Sequence, residues 1–114
     1  MQPVRIAIIG CGVIGNLHAQ WCNKAENITL EAVCDISSEL AEKVGKEHNA
    51  KKIYADINDV LHDDQVEGVI LALPANLRAK FAVSVLKAGK HLLTEKPVAR
   101  CEAEVQELID NRGD

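Results

Sequence analysis

Long apolar runs are missing from this sequence. None approaches the ~20 residues a helix needs to span a bilayer, although 47% of its 114 residues are hydrophobic. The first residues hold neither a basic segment nor a cleavable apolar stretch, so no secretory leader is read and a cytoplasmic chain is expected. Aromatics are scarce, with one Trp, one Tyr and one Phe, and the net charge is −4. A nucleic-acid module would normally show a basic face and often stacking rings, so that partner is disfavoured.

Cys11, Cys22, Cys34 and Cys101 contain no C-x-x-C pair, which predicts reduced thiols packed as small hydrophobes. His18 and Cys22 stand at helical i, i+4 spacing, but no second ligand pair accompanies them, and no metal site is expected. Repeats and low-complexity tracts are absent, and the terminal Arg112-Gly113-Asp114 is read as a chance tail.

What is present starts at Val4. Val4-Arg5-Ile6-Ala7-Ile8-Ile9 is rich in β-branched and apolar residues, as a strand buried on both faces requires. Gly10, Gly12 and Gly15 then spell G-x-G-x-x-G, with an apolar helical pattern from Val13. Gly10 would allow the tight turn, Gly12 the approach of a pyrophosphate, and Gly15 close packing of helix on strand. The phosphates would sit at the helix N-terminus, against free N–H groups and the positive end of the dipole. Such a turn also occurs without a ligand, so context decides. Leu30-Glu31-Ala32-Val33-Cys34-Asp35 supplies that context as a second strand. Asp35, twenty residues after Gly15, stands where a carboxylate accepts hydrogen bonds from an adenosine ribose.

Further along, Ser37 and Ser38 offer caps for a helix whose apolar stripe is Leu40, Ala41 and Val44. Gly45 marks its weakening, and Lys46-Glu47-His48-Asn49 reads as a solvated end with His48 on the surface. Lys51–Tyr54 is a brief strand, and Asp56 caps a short helix through Ile57, Val60 and Leu61. His62-Asp63-Asp64-Gln65 reads as a solvated loop. Gly68–Leu73 is a buried strand stopped by Pro74. Asn76 is expected to cap the next helix, which buries Leu77, Phe81, Val85 and Leu86 and closes with Gly89. His91–Thr94 forms a fifth strand, and a last helix from about Arg100 buries Val105, Leu108 and Ile109.

Strands and helices alternate at short spacing, which predicts an α/β fold, a Rossmann-like doubly wound parallel sheet in three αβα layers. Right-handed crossovers would bring the glycine turn, Asp35, Leu73-Pro74 and Glu95-Lys96-Pro97 to one crevice at the strand C-terminal ends.

The run Gly10-Cys11-Gly12-Val13-Ile14-Gly15, with His18, then Ala72-Leu73-Pro74-Ala75-Asn76, Ala88-Gly89-Lys90-His91 and Glu95-Lys96-Pro97-Val98-Ala99, resembles a known family. It is that of the N-terminal domains of glucose–fructose oxidoreductase and inositol dehydrogenase (Gfo/Idh/MocA), and the resemblance covers almost the whole chain. It implies that Gly10, Gly12, Val13, Ile14 and Gly15 form the pyrophosphate turn and that Asp35 holds the adenosine ribose. Leu73, Pro74 and Asn76 would line the middle of the groove, with Glu95 near the nicotinamide ribose. Lys96 resembles the family's catalytic lysine, whose ammonium polarises a carbonyl and stabilises oxyanion charge. Without the resemblance, Lys96 reads equally as a surface lysine ahead of a turn proline.

Two departures stand out. Arg78 occupies a position where the family often has a histidine, and residues 1–114 form the NAD(P)-binding domain without the family's substrate domain. The expected function is therefore the NAD(P)-binding domain of an oxidoreductase acting on a sugar, cyclitol or related polyol, inactive alone. The cofactor is expected to be NAD, with NADP less favoured because Asp35 repels a 2′-phosphate. A non-catalytic dinucleotide-binding or sensing module is the alternative. A methyltransferase on a similar sheet leaves Glu95-Lys96-Pro97 unexplained. The oligomeric state stays open, since family members commonly associate through the domain missing here.

Overall fold

The computed structural model describes residues 4–24 and 28–93. Its elements run β1 (Val4–Ile9), α1 (Val13–Lys24), β2 (Ile28–Cys34), α2 (Ser38–His48), β3 (Lys52–Tyr54), α3 (Ile57–Leu61), β4 (Gly68–Leu71), α4 (Ala75–Lys87) and β5 (His91–Leu93). The five strands form one parallel sheet in the order β3-β2-β1-β4-β5. The chain thus winds outward from β1 in one direction, then returns to wind in the other. That reversal leaves a crevice beyond the carboxyl ends of β1 and β4, the usual ligand position in such sheets. Thr94, Glu95, Lys96, Pro97, Cys101 and the expected last helix lie outside the described residues.

The apolar runs become strands because both faces of the sheet are covered. Val4, Ile6 and Ile8 pack with Ala19 and Cys22 of α1 and Ala41 and Val44 of α2. Ala7 and Ile9 point the other way, toward Val60 of α3 and Val85 of α4. This is the expected three-layer α/β arrangement. Each fully buried Val or Ile contributes about 1.5–3 kcal/mol of transfer free energy.

One irregularity interrupts the β1–β2 ladder. Ile6 pairs with Leu30 but Ala7 pairs with Ala32, which leaves Glu31 as the extra residue of a bulge. The insertion lets Leu30 and Val33 share one face while Ala32 and Cys34 share the other. Glu31 is buried, and its carboxylate meets Lys52 at 3.2 Å and Lys51 at 3.9 Å. A buried carboxylate without such partners would be strongly destabilising.

Five sequence expectations need correction. His48 is buried at 6% exposure, not on the surface. The inward face of α2 is Ala41, Val44, Gly45 and His48, an i, i+3, i+4, i+7 set, and Nε2 of His48 lies 2.7 Å from Asn16 Oδ1. Gly45 does not weaken this helix. It lets α2 settle on the sheet, since a Cβ there would press into Ile53 and Val33.

Asp63 is not a solvated loop residue. Its side chain is 6% exposed and accepts from Lys52 Nζ at 2.8 Å, Tyr54 Oη at 3.0 Å and the Gln65 amide at 2.9 Å. Burial alone would raise its pKa, but hydrogen bonds from Lys52, Gln65 and Tyr54 outweigh that and lower it. Asn76 does not cap α4, because Pro74 occupies the N-cap with no side-chain capping bond. Leu86 is 60% exposed and Leu77 36%, so of the four expected inward residues only Val85 is fully covered. The expected caps at Ser37 and Asp56 are in place, accepting from the Leu40 and Asn58 amides, and Gly89 adopts φ +78° after α4.

Candidate cofactor site

At the end of β1 the chain must turn sharply to start α1, and Gly10 makes that turn at φ +102°. An L side chain rarely adopts this conformation, and a Cβ there would also strike the Ala72 carbonyl. Gly15, in the first turn of α1, lies against the Gly10 carbonyl, where a Cβ would fall on the oxygen. Gly12 behaves differently, for a Cβ on it would meet nothing within 4 Å. The backbone at Gly12 therefore faces open space, as an approaching phosphate requires. Val13 and Ile14 contribute the first helical residues of α1, whose N–H groups suit an anion.

The turn is tied to its neighbours on both sides. The Gly10 amide donates to the Cys34 carbonyl at 2.8 Å, and the Ala72 amide donates to the Ile9 carbonyl at 2.8 Å. The Cys11 amide donates to Asp35 Oδ2 at 2.8 Å, and Asp35 Oδ1 accepts the Ser37 amide at 2.8 Å. Asp35 remains partly exposed at the rim.

A cleft of about 480 Å³ opens beside this turn, a size suited to a small-molecule ligand. It brings together three of the expected site residues, Gly10, Asp35 and Leu73. The cleft lining does not include Gly12, Gly15, Pro74 or Asn76. Pro74 and Asn76 are exposed at the start of α4. Glu95 and Lys96 fall outside the described residues.

Sequence reasoning missed the apolar wall of the cleft. Ile36, Ala55, Ile57, Leu77 and Phe81 complete it. Ile36 is 96% exposed, immediately after the Asp35 carboxylate. A carboxylate beside an apolar wall suits a ligand with a hydroxylated sugar and a planar aromatic base. Leu77 and Phe81 stand at i, i+4 on α4, so one end of that apolar stripe faces the cleft.

The two thiols below the turn are held neutral. Burial, then the charge of Asp35, pushes the Cys11 thiol up to about 12. The same two causes, in that order, push Cys34 up to about 11. Cys11, Cys22 and Cys34 are buried and form no disulfide. Among the described residues no group of three or more His, Cys, Asp or Glu could hold a metal ion. No helix among them is long and apolar enough to cross a membrane.

Comparison with known proteins agrees with this geometry. The sequence profile of the oxidoreductase family, NAD-binding Rossmann fold, matches residues 4–112. Myo-inositol 2-dehydrogenase of Thermotoga maritima is 27% identical over 107 residues, covering 94% of this chain and 32% of that protein. The scyllo-inositol 2-dehydrogenase (NADP(+)) IolU of Bacillus subtilis is 33% identical over 106 residues, covering 93% of this chain and 32% of that protein. The crystal structure of an NAD binding oxidoreductase from Klebsiella pneumoniae superposes with a TM-score of 0.76 at 27% identity, covering 97% of this chain and 32% of that one. This chain spans about a third of the length of the relatives it matches.

Proposed function

Because the chain belongs to the oxidoreductase family with the NAD-binding Rossmann fold, we propose that it serves as the NAD(P)-binding domain of a dehydrogenase acting on a sugar, cyclitol or related polyol. The observation that carries this reading is the Asp35 carboxylate, which lines the cleft and accepts the Cys11 amide of the glycine turn, beside a Gly12 backbone that faces open space. In such a protein the dinucleotide supplies the hydride acceptor or donor. This chain's residues bind and orient it. The turn from Gly10 to Gly15 and the N-terminal amides of α1 receive the pyrophosphate. Asp35 accepts the ribose hydroxyls, and Ile36, Leu77 and Phe81 offer the adenine an apolar seat.

Leu73, Pro74 and Asn76 would border the groove toward the nicotinamide, followed by Glu95 at its ribose. Lys96 would contact the substrate oxygen, where an ammonium stabilises developing negative charge. The relatives that support the polyol reading are inositol dehydrogenases by name. We take residues 1–114 as a single cofactor domain. The rest of the substrate pocket then belongs to sequence outside this stretch, in keeping with the third of each relative that is matched.

Calorimetric titration of NADH into the 114-residue chain tests the cofactor half of the reading. Saturable one-to-one binding is expected. No heat up to millimolar NADH overturns it.

A further inference from the structure

Asp35 sits in two relationships at once. Its position at the end of β2 suits a ribose acceptor, yet both carboxylate oxygens also hold a main-chain amide. One amide, from Ser37, lies in its own loop, 2.8 Å from Oδ1. The other, from Cys11, lies between the first two glycines of the turn, 2.8 Å from Oδ2. The same stretch of turn is held by the Gly10 amide on the Cys34 carbonyl at 2.8 Å and by the Cys11 thiol on that carbonyl at 3.6 Å. Of these contacts, the one to Asp35 is charge-assisted, and such bonds are roughly twice as strong as neutral ones. It also lies nearest Gly12, whose backbone faces open space.

We propose that Asp35 is a positioning residue for the pyrophosphate turn, fixing the backbone at Gly12 through the Cys11 amide, as well as an acceptor for the ribose. The proposal rests on the dinucleotide reading above and adds a second role to the same carboxylate. The two roles predict opposite signs for one measurement. A ligand with a diphosphate but no ribose hydroxyls has nothing to donate to Asp35, and its charge is repelled by the carboxylate. Were Asp35 only a ribose acceptor, its removal would leave such a ligand unaffected or bound more tightly. As a positioning residue its removal weakens that ligand, because the turn must then be ordered during binding.

The probes are ADP and 2′,3′-dideoxyadenosine diphosphate, titrated into the wild-type chain and into Asp35→Ala and Asp35→Asn. Asp35→Ala is expected to bind the dideoxy ligand about tenfold more weakly than wild type. Asp35→Asn, whose single neutral acceptor oxygen can serve only one of the two amides, is expected to bind it with an affinity between those of wild type and Asp35→Ala. Equal or tighter binding of the dideoxy ligand by Asp35→Ala overturns the proposal. Hydrogen exchange on the wild-type chain needs no variant. The Cys11 amide is expected to be protected although it lies between elements, and exchange at open-loop rates also overturns the proposal. If wild type binds neither ADP nor NADH, the dinucleotide reading fails first and takes this role with it.

Discussion

Gly15 passes so close to Gly10 that a Cβ on it would fall on the Gly10 carbonyl oxygen, whereas a Cβ on Gly12 would meet nothing within 4 Å. The glycine motif therefore divides into positions that the fold requires and one that faces open space. Gly15→Ala is expected to cost about 1–3 kcal/mol or more, as overpacking against main chain does. Gly12→Val is expected to stay within about 1 kcal/mol of wild type, as at unconstrained surface sites, while losing NAD binding. Urea denaturation and calorimetry on both variants separate the effects, and unchanged NAD affinity in Gly12→Val contradicts the site.

Cofactor choice follows from the charge of Asp35. A carboxylate accepts two ribose hydroxyls but repels a 2′-phosphate, and the next residues, Ile36, Ser37 and Ser38, bring no cation to offset it. Its Cys11 and Ser37 amide partners hold the carboxylate at the rim of the cleft. NAD is expected to bind roughly ten- to a thousandfold more tightly than NADP. Titration of both at one ionic strength checks this, and equal or tighter NADP binding contradicts it.

Asp63 ties β3 to the loop ahead of β4, and its carboxyl is held below the ordinary carboxylate value. A lowered folded pKa stabilises at pH above the unfolded value and is lost as pH falls through the folded one. Asp63→Asn is expected to cost about 1–3 kcal/mol at neutral pH, as unsatisfied buried partners do. The gap should close as the solution is acidified below the unfolded carboxylate pKa of about 3.9. Urea midpoints of both proteins, measured from about pH 7 to about pH 2, test the sign. A gap independent of pH contradicts the network.

The thiols at the turn give a chemical readout. Cys11 and Cys34 are pushed up to about 12 and about 11, and the thiolate is the reactive form. Alkylation of both by iodoacetamide at mildly alkaline pH is expected to be at least about tenfold slower in the native chain than in urea. Peptide mass spectrometry assigns the sites, and rapid native labelling of Cys11 contradicts its burial beneath the turn.

The sheet was legible because a strand buried on both faces appears as an uninterrupted apolar run, as at Val4–Ile9 and Gly68–Leu71. The turn was legible because G-x-G-x-x-G imposes fixed spacing, and Asp35 followed from its distance to Gly15. His48 was misplaced although the spacing of Ala41, Val44, Gly45 and His48 carries the inward face, since the polar residues around it suggest solvent. Asp63 reads as solvent-facing in the sequence because its partners Lys52 and Tyr54 come from β3, an earlier element that only the fold brings to this loop. The apolar wall of the cleft was hidden for the same reason. Ile36, the pair Ala55 and Ile57, and Leu77 come from three segments that only the sheet order brings together.

The most direct test of the account is amide chemical-shift mapping of the 114-residue chain during titration with NAD. Binding at the proposed site predicts the largest shifts at Gly10, Cys11, Gly12 and Gly15, with a second set from Asp35 to Ser37 and near Leu77. Saturable shifts confined to other surfaces, or no shifts at millimolar NAD, would contradict the assignment of this cleft as the dinucleotide site.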